Sequence, residues 1–117
     1  MAVAAIKFAI LKQAPGKDTI FDIDKSISFE GDSGPYLQYT YVRTKSIIEK
    51  ALEVGISQNV RSRASNIEIS AVEKLVYRLP EVIEKAAKEY APQQIVTYLL
   101  ELAAAYNGYY AANKIVD

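Results

Sequence analysis

The chain reads as all-α, a helical bundle of about five helices behind a short extended N-terminal lead-in. Three observations predict it. Apolar residues recur at three- and four-residue spacing through several long segments, the period of a helix with one buried side. Pro35, Pro80 and Pro92 stand where segments open and Gly55 where one closes, the positions each residue type tolerates best. Only Thr19–Ile23 alternates as a strand does, and a single strand makes no sheet.

Taken in order, Ala2 to Gln13 is predicted as the first helix, with Val3, Ile6, Ile10 and the adjacent Leu11 at helical spacing, ended by Pro15-Gly16. Thr19–Ile23 is β-branched and aromatic, so it either stays extended or pairs with sequence outside this chain. Ile27 to Gly34 has turn chemistry. Ser33 or Gly34 then caps a second helix, with Pro35 near its first position, that runs to about Val54 and stops at Gly55. Ser57 to Ser65 is a polar loop carrying Arg61 and Arg63. Ser65 or Asn66 caps a third helix, Ile67 to Arg78. Pro80 opens a fourth, to about Tyr90, and Pro92 a fifth, to about Asn113.

A length of 117 residues suits one domain with one core. The composition excludes more than it suggests. Without cysteine there is no disulfide, zinc-finger or thiol-nucleophile chemistry. Without histidine there is no Ser-His-Asp or Cys-His arrangement and no ordinary near-neutral general base. Formal net charge is zero, so bulk charge lends nothing to nucleic-acid binding, although a local stripe can bind while the remaining surface balances it. No apolar run approaches the roughly 20 residues of a membrane span, and the N-terminus lacks a basic signal-peptide region. The expectation is a soluble, cytoplasmic protein with no catalysis of its own.

Phase along the second helix separates two faces. At roughly 100° per residue, Leu37, Tyr41, Thr44, Ile48 and Leu52 share a stripe expected to be buried. Tyr36, Tyr39, Arg43 and Lys50 fall on a neighbouring strip about 60° wide. Aromatic rings interleaved with cations are how proteins hold unpaired bases. The plainer alternative is tyrosines at a core rim and solvated cations. In the fifth helix Ile95, Leu99, Leu102 and Tyr106 form the expected core stripe. Of the rings in Tyr106-Asn107-Gly108-Tyr109-Tyr110, only some can point inward. Gly108 within a helix suggests close packing or a kink. The carboxylates Asp22 with Asp24, Glu30 with Asp32 and Glu81 with Glu84 belong to no motif and read as surface charge. Gly31-Asp32-Ser33-Gly34 lacks the lysine and spacing of a phosphate loop.

One stretch carries more. Ser28-Phe29-Glu30-Gly31-Asp32-Ser33-Gly34-Pro35-Tyr36-Leu37-Gln38-Tyr39-Thr40-Tyr41-Val42-Arg43 closely resembles the signature that joins the catalytic and anticodon-binding domains of arginyl-tRNA synthetases. Leu79-Pro80-Glu81-Val82-Ile83 is similar to that family's "FPEVV" helix start, and the segment from Tyr98 to Tyr110 to its "YLxxLAxxFNxFY" helix. Ala5-Ile6-Lys7-Phe8 and Ile20-Phe21-Asp22-Ile23-Asp24 resemble segments just past its catalytic lysine loop.

The resemblance implies that residues 1–33 close a catalytic domain and residues 34–117 form a helical anticodon-binding domain lacking its final helix. It implies arginine-accepting tRNA as partner. Bases of the opened anticodon loop would stack on Tyr36, Tyr39, Tyr109 and Tyr110 while Arg43 and Lys50 meet phosphates, with Arg61 and Arg63 as further candidates. No catalytic or metal-ligating residue is expected. ATP and magnesium would belong to the parent ligase, whose two ATP-binding signatures are not among these residues. An uncovered apolar groove is expected to permit self-association. The competing expectation is an all-α protein–protein interaction or oligomerisation domain without RNA binding.

Overall fold

The computed structural model describes residues 1–56 and 69–116. Among them are six helices and no strand: α1 (Ala2–Leu11), α2 (Ile23–Ser26), α3 (Gly34–Glu53), α4 (Ala71–Tyr77), α5 (Leu79–Lys88) and α6 (Gln93–Ala112). The class is the all-α one that the sequence predicts. α6 is the hub: it packs against α3, α4 and α5, and α1 reaches both α3 and α6.

Several local expectations hold. Ser33 caps α3 by accepting from the Tyr36 N–H at 3.1 Å, and Pro35 sits in the first turn. Gly55, at φ +84°, ends the helix, with the Ile56 N–H returning to the Ala51 carbonyl at 2.9 Å. α5 ends in the same motif on a less suited residue: Tyr90 takes φ +50° and the Ala91 N–H reaches the Ala86 carbonyl at 2.9 Å.

Other expectations are corrected. Thr19–Ile23 is not a strand. Its first residues form no regular element, and Asp22 accepts from the Lys25 N–H at 3.1 Å to cap the single turn α2. With no neighbouring strand to bond, a capping aspartate is the local way to satisfy backbone donors. The third predicted helix begins later than Ile67. Ile69 and Ser70 are non-helical, and Ser70 with Glu73 forms a capping box, the Ser70 N–H bonding the Glu73 carboxylate at 2.8 Å. The expected caps Ser65 and Asn66 lie outside the described residues.

The helix faces also differ from prediction. In α1 the buried residues are Ala5 and Phe8, while Val3, Ile6, Ile10 and Leu11 point outward. Close backbone approach decides this. A Cβ on Gly34 would stand 2.3 Å from the Ala4 carbonyl oxygen, so the small-residue side of α1 meets α3. In α3 the stripe Leu37, Tyr41, Thr44, Ile48 and Leu52 is not the buried face, and Tyr41 is 60 % exposed. The inward side is centred nearer Thr40, Arg43 and Ile47, about 105° round the helix by the same residue angle. In α6 the buried residues are Val96, Tyr98 and Ala103, which flank the expected stripe of Ile95, Leu99, Leu102 and Tyr106. Tyr98 donates its hydroxyl to the Leu75 carbonyl and thereby ties α6 to α4. The two displaced stripes meet across an open apolar groove of about 520 Å³ walled by α3, α4 and α6, with Leu37, Tyr41, Val76, Leu99 and Tyr106 among its lining.

Candidate nucleic-acid interface

The α3 strip singled out by phase is assembled against α6 by one side chain. Asn107 sits on the α3-facing side of α6, one turn beyond the buried Ala103. Its Oδ1 accepts from Arg43 Nη1 at 2.9 Å. Its Nδ2 donates to the Tyr36 hydroxyl at 3.1 Å and to Thr40 Oγ1 at 2.9 Å. Thr40, buried, donates its own hydroxyl proton to the Tyr36 carbonyl at 3.0 Å. Polar groups withdrawn from water need such partners, and here each has one.

Arg43 is the centre of an aromatic cluster. Its Cζ lies 4.6 Å from the centroid of the Tyr39 ring and 4.3 Å from that of Tyr110. Both distances are within cation–π range. Its Nη2 also donates to the Tyr39 hydroxyl. Phe29 meets Tyr39 edge-on at 6.3 Å, and Tyr106 leans on Tyr110 at 6.3 Å. Burial raises the Tyr106 hydroxyl above its ordinary pKa, with Tyr110 adding to the rise and Arg43 opposing it. Lys12–Asp32, Lys25–Asp22 and Lys88–Glu84 are ion pairs, and among the described residues no carboxylate is paired with Arg43.

Of the residues expected at the site, Tyr36, Tyr39, Arg43 and Tyr110 come together. Tyr36 is half-buried with its hydroxyl engaged, so its ring is the least accessible of the three. Tyr39 and Tyr110 keep 43 % and 39 % of their surface exposed, enough for a ring face to meet a ligand. Lys50, two turns past Arg43 and exposed, and Tyr109, 45 % exposed, flank the cluster without joining it. Arg61 and Arg63 lie outside the described residues. Sequence reasoning missed Asn107, Thr40 and Phe29. Asn107 left a readable trace, a poor helix former set mid-helix among apolar residues. Gly108 lies within α6 and does not serve close packing, because a Cβ there would meet nothing within 4 Å.

Chemically the cluster offers exposed π faces around a cation, and little else. Among the described residues no group of three or more acidic, histidine or cysteine side chains could hold a metal. No helix there is long and apolar enough to cross a membrane.

Comparison with known proteins identifies the family and the fold. The model of the DALR anticodon binding domain matches residues 37–117. The arginine–tRNA ligase of Lactococcus lactis subsp. lactis is 37 % identical over 117 residues, covering 100 % of this chain and 21 % of the ligase. That of Agathobacter rectalis is 40 % identical over 126 residues, covering 100 % of this chain and 20 % of the ligase. That of Pyrococcus furiosus is 33 % identical over 123 residues, covering 99 % and 20 %. Among solved structures, Thermus thermophilus arginyl-tRNA synthetase superposes with a TM-score of 0.84 at 34 % identity, covering 97 % of this chain and 19 % of that one. The chain thus spans about a fifth of the length of the curated relatives it matches.

Proposed function

The chain belongs to the DALR anticodon-binding domain family, and on that premise we propose that it binds the anticodon loop of arginine-accepting tRNA, supporting arginine attachment within a longer ligase of the cytoplasm. Residues 34–117 would form the binding domain, and residues 1–33 would connect it to the catalytic part. The observation that carries the reading is Arg43 held against the exposed rings of Tyr39 and Tyr110. Unstacked bases have π faces that such rings accept at roughly 1–3 kcal/mol per base. Arg43 and Lys50 would meet backbone phosphates, which position the strand without reading it. Tyr109 and Tyr110, at the end of α6, would extend the stacking surface, and Tyr36 would set its inner edge. Catalysis, with ATP and magnesium, would belong to the remainder of the ligase.

Titration with arginine-accepting tRNA at low salt tests the proposal. Tyr39→Ala should weaken binding about tenfold, the lower part of one stacking contribution. Circular dichroism unchanged by the substitution separates this loss from misfolding. An unrelated RNA duplex binding as tightly as the tRNA, or full affinity in Tyr39→Ala, would defeat it.

The apolar groove between α3, α4 and α6 favours a second reading, self-association of an all-α interaction domain. A second copy of this chain is the occupant favoured by a net charge of zero, which leaves no long-range repulsion to overcome.

A further inference from the structure

We infer that Asn107 is the positioning residue of this surface, an uncharged hub that fixes Arg43 against Tyr39 and Tyr110 while leaving its positive charge free for a phosphate. The inference rests on the tRNA-binding reading for the identity of the polyanion, and on geometry alone for the positioning.

The hydrogen-bond polarity at position 107 is dictated from both sides. Thr40 spends its hydroxyl proton on the Tyr36 carbonyl at 3.0 Å, so towards Asn107 it can only accept. The guanidinium of Arg43 has five N–H donors and no acceptor. Position 107 must therefore offer a donor to Thr40, met at 2.9 Å, and an acceptor to Arg43, also met at 2.9 Å. A carboxamide does both. A carboxylate would grip the guanidinium harder, but it would cancel the charge that a phosphate needs. The remaining partners of Arg43 are neutral as well: the Tyr39 hydroxyl and two rings. Two N–H groups are engaged by these hydrogen bonds, which leaves the others for a ligand. A cation ordered in advance spends less entropy on binding. The arrangement joins residues 64 and 71 positions apart, so the binding surface exists only when α3 and α6 are docked.

Two measurements on the full chain separate the positioning from the tRNA reading. The first uses no RNA. The side-chain N–H resonances of Arg43 should be resolved and slow to rotate in the wild type, persist in Asn107→Asp and collapse to an averaged signal in Asn107→Leu. Resonances still resolved in Asn107→Leu, with the circular dichroism of the wild type, would overturn the inference. The second titrates arginine-accepting tRNA over a range of salt. Asn107→Asp keeps an acceptor for Arg43, and the Thr40 hydroxyl can donate to it only by giving up the Tyr36 carbonyl. The same variant adds a compensating charge, so affinity at low salt should fall about tenfold and the salt slope should shrink by about 1. A purely structural role predicts wild-type affinity and slope for Asn107→Asp, and that result would also overturn it. Wild-type chain that binds no tRNA, yet loses Arg43 order in Asn107→Leu, would overturn the tRNA reading and uphold the positioning.

Discussion

Single side chains set the limits of this molecule more than its bulk composition does. Tyr98 is the clearest case, being 4 % exposed with its hydroxyl on the Leu75 carbonyl. Tyr98→Phe removes the donor and leaves that acceptor buried without it, a change that costs about 1–3 kcal/mol. Chemical denaturation should show the loss as a lower midpoint with an unchanged slope. Tyr106 makes a pH-dependent contribution. Burial holds its folded-state pKa above the ordinary value of 10.0. The folded state therefore keeps the proton that the unfolded chain gives up, and stability falls as pH rises past the unfolded value. Below that pH the contribution is fully present. Tyr106→Phe should leave neutral-pH stability little changed and flatten the decline above pH 10 in a urea titration series. An equal alkaline decline in both proteins would rule out Tyr106 as its source.

Helices meet here by backbone proximity as much as by apolar area, and two glycines show the contrast. Gly34 opens α3 with the Ala4 carbonyl of α1 where its Cβ would be, 2.3 Å away. Gly34→Ala forces the two helices apart and should cost on the order of 3 kcal/mol by thermal melt. Gly108 stands mid-helix with open space around it. Gly108→Ala should raise stability by about 0.5–1 kcal/mol, the propensity difference alone. The same contrast explains what could be read in advance. Caps and stops were legible because Ser33, Pro35 and Gly55 act on their own backbone within a turn. The membership of the cluster was partly legible, since the strip holding Tyr36, Tyr39 and Arg43 differs chemically from the apolar stripe beside it. Its direction was not. Phase arithmetic assigns the strongest hydrophobes to the core, whereas α3 turns Thr40 and Arg43 towards Asn107 and leaves Tyr41 on a groove wall. Nothing local to α3 announces a partner 64 residues away. α1 fails for a related reason. Ala4 and Ala5 let α3 approach, and the larger Val3, Ile6 and Ile10 are left outside.

At the scale of the whole molecule these local choices add up to an open structure. The radius of gyration is 16.7 Å, against about 13 Å for a compact domain of this length. The accessible surface is 9077 Å², against roughly 6300 Å² for a compact protein of this mass. Exposed apolar residues on the walls of the groove and on the outer face of α1 contribute to that surface. Contiguous exposed apolar surface is removed from water by association, and association that requires the folded state raises apparent stability with concentration. The melting temperature of the isolated chain should therefore climb by several degrees per tenfold increase in concentration, and sedimentation should show species heavier than 13.0 kDa. Val76 is exposed on the groove wall, so Val76→Lys adds a charge there without disturbing the buried residues. That substitution should restore the monomer and remove the concentration dependence while sparing tRNA affinity, because Arg43 and Tyr110 are not among the residues lining the groove. A 13.0 kDa monomer with one cooperative melt at every concentration would mean that the groove carries no association. Lost tRNA binding in Val76→Lys would instead mean that groove and RNA surface are one site.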